Sequence, residues 1–222
     1  MSNGGSFDSV FIFDLDGTLV DSFDQILAAC QTVRRRFELK NEHEEDLKKL
    51  VGLPAEQLFR ELKEPRISQA VEDFRALLRR SIERGNRIYP GVEALLIKLR
   101  SLEIGIGVAT SKPHDLANEV VLNSSLHGKI DWVQGTQGFK GKPNPEVVIR
   151  VQNVLKSSKY FMIGDRPEDV EAGKSAGCIT IGVSQGTFNK DELGSTGASF
   201  VYESIQEIES NLSNILNQAS SM

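Results

Sequence analysis

The sequence predicts an α/β fold: a parallel sheet with helices on both faces, interrupted after its first strand by an inserted block of helices. Three observations carry this. From Gly91 onward strand and helix patterns alternate, and such alternation means parallel strands joined by helical crossovers. The strands are short unbroken apolar runs, as expected of strands covered on both faces, and Val10-Phe11-Ile12-Phe13 is the clearest. Between Ser22 and Arg87 the texture is different, with apolar residues at helical spacing, many charges and few β-branched runs.

The first six residues are polar and lack the apolar segment of a signal peptide, so 1–6 reads as a disordered leader. The first strand follows at Val10–Phe13. Helices are predicted at about 22–38, 43–51, 55–63 and 67–85, joined by short connections that suit an antiparallel bundle. A helix at about 91–102 returns the chain to the sheet. Strand Ile104–Ala109, helix 114–123, strand 130–134, helix 145–156 and strand Tyr160–Ile163 come next. Helix 167–176, strand Ile179–Val183, strand Ser199–Tyr202 and helix 204–217 complete the pattern, and 218–222 reads as a frayed end. The expected organisation is a discontinuous core of residues 1–20 and 90–222, with a helical insert at 21–89 whose crossings lie near 20–23 and 87–91.

The 222 residues suffice for a sizeable core, and 39% apolar with 26% charged is ordinary for a soluble globular protein. A net charge of −5 argues against nucleic acid as the main partner. No apolar stretch reaches the about 18–20 residues that span a bilayer. Cys30 and Cys178 fit no metal-ligand spacing, and reduced thiols in the cytoplasm are the simplest reading. His43, His114 and His127 are scattered, Arg34-Arg35-Arg36 reads as a solvated helix face, and Trp132 and Cys30 read as packing.

The chemistry-bearing residues lie where the strands stop. Asp14 and Asp16 follow the first, Thr110 and Ser111 the second, Lys142 the third, and Gly164, Asp165 and Asp169 the fourth. Right-handed crossovers put all four sets on one rim of the sheet, where open α/β sheets bind ligands. Like charges crowded there need a cation or a proton to offset them. Carboxylates with water hold Mg²⁺, while a hydroxyl, an ammonium and free backbone N–H groups hold phosphate. Each motif also has a plainer reading. Asp-x-Asp-Gly occurs in turns, although its spacing here is not that of an EF-hand loop. Thr110-Ser111 and Asp165 are good helix caps, Asp169 suits a first helical turn, and Lys142 or its rival Lys140 passes for a loop lysine.

Taken in order, Asp14-Leu15-Asp16-Gly17-Thr18, Thr110-Ser111, Lys142-Pro143-Asn144-Pro145 and Gly164-Asp165 with Asp169 resemble the four motifs of the haloacid dehalogenase superfamily. The insert resembles that family's C1 helical cap, the resemblance runs from about residue 8 to 216, and the chain is similar to the family's phosphoglycolate phosphatases and β-phosphoglucomutases. The resemblance implies a Rossmann-like core with an inserted α-helical cap and a Mg²⁺-dependent phosphatase of small phosphate monoesters. It implies Asp14 as nucleophile and Asp16 as general acid and base. Mg²⁺ would be held by Asp14, the Asp16 carbonyl oxygen and Asp165, with Asp169 in support. Thr110, Ser111 and Lys142 would bind the transferring group, and Gly52 and Leu53 would belong to a substrate-specificity loop of the cap.

An acid at Asp16 points to a phosphatase or phosphomutase rather than a dehalogenase. Pro54-Ala55-Glu56-Gln57 lacks the arginine that β-phosphoglucomutases carry after the matching glycine, and Gly135-Thr136-Gln137-Gly138 lacks the acids that relatives often carry there. The alternatives are a phosphomutase and a non-catalytic domain that binds a phosphorylated metabolite. The expected partner is a small-molecule phosphate ester with phosphoglycolate first, and no nucleic acid or membrane, for a cytoplasmic monomer or homodimer.

Overall fold

The computed structural model describes residues 6–38, 53–61, 63 and 66–219. Along the chain, β1 (Ser6–Phe7), β2 (Val10–Phe13) and β3 (Val20–Asp21) precede three helices, α1 (Phe23–Arg36), α2 (Ala55–Glu61) and α3 (Ile67–Glu83). Then come β4 (Arg87–Ile88), α4 (Val92–Ser101), β5 (Gly105–Pro113), α5 (His114–Leu122), β6 (Trp132–Thr136) and α6 (Glu146–Val154). The chain closes with β7 (Lys156–Ser157), β8 (Tyr160–Gly164), α7 (Pro167–Ser175), β9 (Ile179–Val183), α8 (Lys190–Ser195), β10 (Phe200–Tyr202) and α9 (Ile205–Ala219).

Six strands form one parallel sheet in the order β10-β9-β8-β2-β5-β6. The four apolar residues of β2 are wholly buried because the strand lies inside the sheet with helices over both faces. Alternation splits them. Phe11 and Phe13 join Phe161, Leu95, Leu96, Val120 and Ile208 on one face, and Phe11 stacks on Phe161 with ring centroids 4.4 Å apart. Val10 and Ile12 join Val147, Val148, Val151 and Met162 on the other. Phe13 stands level with Val108 on β5 and Ile163 on β8, so the next residues of all three strands emerge together on one rim.

Helices α1, α2 and α3 surround a separate apolar cluster that includes Val33, Leu58, Phe59, Ala70 and Phe74. On α3 the buried Ala70, Phe74, Leu78 and Ile82 recur every four residues, which gives one apolar face. Phe59 meets Phe74 edge-on, with centroids 5.5 Å apart and planes at 80°. A link to the sheet-covering helices runs through Arg79 on α3. Its Nε donates to both Glu119 oxygens at 2.9 and 3.0 Å, and another guanidinium nitrogen donates to Asp115 Oδ2 at 2.6 Å.

The elements differ from the sequence expectations in five places, the first being helix α8, where no element is predicted between two strands. The crossings into and out of the helical block pair as the antiparallel strands β3 and β4, two residues each, too short to leave a pattern. Strand β5 runs past Ala109 to Pro113, because Pro113 aligns with Thr136 on β6 after a register irregularity. Helix α9 extends to Ala219, two residues into the end read as frayed, because Ile215 and Ala219 continue the buried face of Ile208 and Leu212 at alternating four- and three-residue steps. Ser6, read as the end of a disordered leader, pairs with Lys156 in β1 and β7. The helix expected at 43–51 and residues 1–5 and 220–222 lie outside the described residues. No helix among the described residues is long and apolar enough to cross a membrane.

Phe59 is fully buried, so Phe59→Ala should cost about 3–5 kcal/mol by leaving a cavity. Urea unfolding checks this, and a loss under about 1 kcal/mol would contradict the packing described.

Candidate functional site

The site is built on the ends of β2, β5 and β8. Asp14 directly follows β2, and its N–H donates to the Ile163 carbonyl of β8 at 2.8 Å, which extends the sheet by one bond. The chain then turns sharply. Gly17 N–H donates to the Val20 carbonyl, and Leu19 and Val20 N–H both donate to Leu15. Gly17 takes φ +89°, and a Cβ there would stand 2.5 Å from Asp165 Oδ2, so both conformation and space demand glycine. Gly186 likewise leaves no room for a side chain against Asp165.

Asp14, Asp165 and Asp169 are buried, and each offers a carboxylate oxygen within 4.8 Å of the others. Lys142 Nζ sits among them. It donates to Asp14 Oδ1 at 2.5 Å and the Ala109 carbonyl at 2.9 Å, and it pairs with Asp169 Oδ1 at 2.5 Å. Three donors thus meet three acceptors. Asp165 Oδ1 accepts from the Thr18 hydroxyl at 3.0 Å, and Asp169 Oδ2 accepts from Arg166 N–H at 3.0 Å, which caps α7. Asp169 therefore does what its first-turn position predicts and also faces the cluster.

Burial sets the electrostatics. It pushes the Asp14 carboxyl up from 3.8 to about 6, because the Lys142 ammonium offsets only part of the desolvation and Asp169 adds repulsion. Asp165 is raised well above the usual carboxylate range by burial, then by Asp169 and Asp14, against relief from Arg166 and Thr18. Burial works against the Lys142 charge, but Asp14 and Asp169 outweigh it and hold the ammonium above its usual range.

Asp16 faces elsewhere. Its Oδ2 pairs with Lys112 Nζ at 2.9 Å and its Oδ1 accepts from the Ser22 hydroxyl at 2.6 Å. Its carboxylate stands outside the trio, and the expectation for it there concerned its carbonyl oxygen. The Thr110 hydroxyl is buried and accepts from Lys112 N–H at 3.2 Å, while the Ser111 hydroxyl accepts from Lys142 N–H at 3.1 Å. Of the two lysine candidates, Lys140 is exposed and Lys142 pairs with Asp14. In the Gly135–Gly138 segment, Thr136 Oγ1 donates to the Ser111 carbonyl at 3.1 Å and so braces the Ser111 turn.

A cleft over Asp14 brings together Asp16, Thr110, Ser111, Lys142 and Asp169, and from the helical block Leu53, Phe74, Arg75 and Leu78. Gly52 lies outside the described residues. Sequence reasoning does not single out Lys112, Ser22, Arg75 or Gly186. Lys112 stands beside Pro113, where a helix-start signal hides it, and the others meet the site only through the fold.

The trio fits a hard divalent cation. Its donors are all oxygen, they converge, and the one ammonium among them leaves an excess of negative charge. Asp14, Asp165 and Asp169 are the groups that would hold it.

The sequence model of the family described as "Haloacid dehalogenase-like hydrolase" matches residues 11–183. Among curated relatives, a phosphoglycolate phosphatase of Aquifex aeolicus is 29% identical over 77% of this chain and 82% of its own. A 5'-nucleotidase of Pseudomonas aeruginosa is also 29% identical, over 82% and 85%. Among solved structures, a predicted phosphatase from Clostridium acetobutylicum superposes with a TM-score of 0.84 at 28% identity, covering 95% of this chain and all of that one.

In chelator, the raised Asp14 carboxyl makes the folded state the tighter proton binder between pH 3.8 and about 6. Wild-type stability relative to Asp14→Asn should therefore fall as pH rises through that window, by on the order of 3 kcal/mol, and level off above it. Urea unfolding of both proteins across the window tests this. A difference that is flat or grows with pH would contradict it.

Proposed function

The chain belongs to the haloacid dehalogenase-like hydrolase family, and we propose that it is a Mg²⁺-dependent phosphatase that cleaves a small phosphate monoester through an aspartyl-phosphate on Asp14. The observation that supports this most directly is the placement of Asp14. It is a buried carboxylate on the rim of the sheet, held by Lys142 and flanked by Asp165 and Asp169. Relatives named as phosphatases point the same way.

In this reading Asp14 Oδ attacks the substrate phosphorus and the bond from phosphorus to the leaving oxygen breaks. Asp16 gives that oxygen its proton. Water then attacks the phosphorus, Asp16 takes the water's proton, and the bond to Asp14 Oδ breaks to release inorganic phosphate. Lys112 and Ser22 orient Asp16 for both transfers. Thr110, Ser111 and Lys142 bind the transferring oxygens, where charge has to be stabilised. For Lys142 this requires exchange of a carboxylate partner for a phosphoryl oxygen, since its three donors are all engaged. Asp14, Asp165 and the Asp16 carbonyl, with Asp169 in support, would hold Mg²⁺, which would supply the positive charge that lets an anion approach a carboxylate.

The described helices α1, α2 and α3 serve in this reading as a lid over the cleft, with Leu53, which lines it, toward the leaving group. Strands β3 and β4 are its two connections. Phosphoglycolate, the substrate in a relative's name, is the reference compound.

Acid-quenched protein taken during turnover should carry one phosphoryl group on the peptide containing Asp14, read by mass spectrometry. Asp14→Asn should lose activity by at least about 10⁴-fold and Asp16→Asn by about 10²–10⁴-fold, the range of general acid–base assistance. Excess chelator should abolish turnover and added Mg²⁺ restore it. Phosphate on another residue, or full activity of Asp14→Asn freed of contaminating phosphatase, would overturn the assignment.

A further inference from the structure

The helical block has an apolar core of its own. Val33, Leu58, Phe59, Ala70 and Phe74 belong to a cluster separate from the two that cover the sheet. The two connections of the block, β3 and β4, are two residues each. A body with its own core on two short connections can turn against the sheet without losing its packing. The position it takes then depends on what bridges the two bodies.

Helices α3 and α5 lie against each other across that boundary. Leu78 of α3 and Leu116 of α5 line the same cleft over Asp14, so the seam between the helices borders the site. Two arginines stand one turn apart on α3. Arg75 pairs within the block, with Glu56 of α2 at 2.8 Å. Arg79 pairs across the seam, with Asp115 at 2.6 Å and with both oxygens of Glu119 at 2.9 and 3.0 Å. Its Nε and a terminal nitrogen are both engaged, and such a network is what gives exposed charges a measurable effect. Asp115 and Glu119 stand four apart on α5 and repel each other when unpaired, and one guanidinium offsets both. The contact is also weak enough to release. The side chains of Arg79, Asp115 and Glu119 are 44%, 64% and 34% exposed, so salt screens them, and each pair shifts an equilibrium by about fivefold at most. Helix α5 starts at His114, straight after Thr110, Ser111 and Lys112. Closure through Arg79 therefore docks the block on the helix that continues the loop assigned to the transferring group.

Resting on the phosphatase reading above, in which the block is the lid, we propose that Arg79 with Asp115 and Glu119 is an electrostatic latch that sets the closed fraction of this protein. With the pairs made, the block sits over Asp14 and keeps bulk water from the phosphoryl group. With the pairs broken, the block swings away and phosphate leaves. Ionic strength is the regulator, because it weakens the latch while leaving the apolar cores of the block and the sheet in place. Arg79 acts as a positioning residue for the whole block and touches no reacting atom.

The test reads shape and rate separately. Small-angle X-ray scattering at about 20 and about 500 mM salt gives the radius of gyration on either side of effective screening. Wild type should expand as salt rises, a measurement that needs no variant. Arg79→Gln and Glu119→Gln should already be expanded at low salt and change little on adding more. Arg79→Glu should be the most open, and combining it with Glu119→Arg should restore the compact form. In parallel, kcat/KM for phosphoglycolate at low salt should be about two- to fivefold lower in Arg79→Gln, and its dependence on salt should shrink. Latch-dependent shape without turnover of any phosphate ester would leave the latch standing and overturn the phosphatase reading. Turnover with one radius of gyration shared by wild type, Arg79→Gln and Arg79→Glu at low salt would overturn the latch and leave the phosphatase reading standing. An exchanged pair no more compact than Arg79→Glu alone would also overturn the latch.

Discussion

One ammonium among three buried carboxylates organises this rim. Lys142 Nζ lies 2.5 Å from oxygens of both Asp14 and Asp169, and Asp165 completes the cluster. Counting these four groups leaves two negative charges without partners in a site that water hardly reaches. Arg166 relieves Asp165 in part, but it also pairs with Glu168. Breaking such an arrangement by removing one member leaves an uncompensated buried charge, which is far more costly than never having built it. A divalent cation would close the deficit, and protons serve in its stead as pH falls. The raised carboxyls of Asp14 and Asp165 are the sign of that deficit.

The scaffold is shaped to keep these groups close. The register of β2 between β5 and β8 fixes where Asp14 leaves the sheet. The turn at Gly17 brings the chain against Asp165, and Thr18 hydrogen-bonds that carboxylate. The Arg166–Asp169 bond that caps α7 also aims the other Asp169 oxygen at Lys142. Ser22, at the start of the helical block, reaches back to Asp16, so the block and the proposed general acid share a contact. Movement of the block would be felt at Asp16 without any longer path.

Much of this was legible in the sequence because burial on both faces of a parallel sheet leaves unbroken apolar runs. Val10–Phe13, Tyr160–Ile163 and Ile179–Val183 announce themselves, and residues that follow such runs share a rim by topology. That topology places Asp14, Asp165, Thr110 and Lys142 together on the rim. What stayed hidden are contacts made only in three dimensions. Lys142 and Asp14 are 128 residues apart, and only their meeting separates Lys142 from Lys140. Lys112 looks like the approach to a helix until it is seen buried on Asp16. Arg75 sits on a charge-rich helix, and nothing in the spacing of α3 distinguishes it from Arg79 or Arg80. The two-residue strands β3 and β4 carry no period at all.

The claim on which the rest depends is that the buried trio is a divalent-cation site matched to Lys142. Calorimetric titration of Mg²⁺ into the protein at about pH 6, repeated in buffers of different ionisation enthalpy, tests it most directly. The account predicts one ion per chain and net release of protons on binding, since burial raises the Asp14 carboxyl to about 6. It also predicts that Asp165→Asn removes the binding. Absence of binding, or binding unchanged in Asp165→Asn with no proton released, would contradict it.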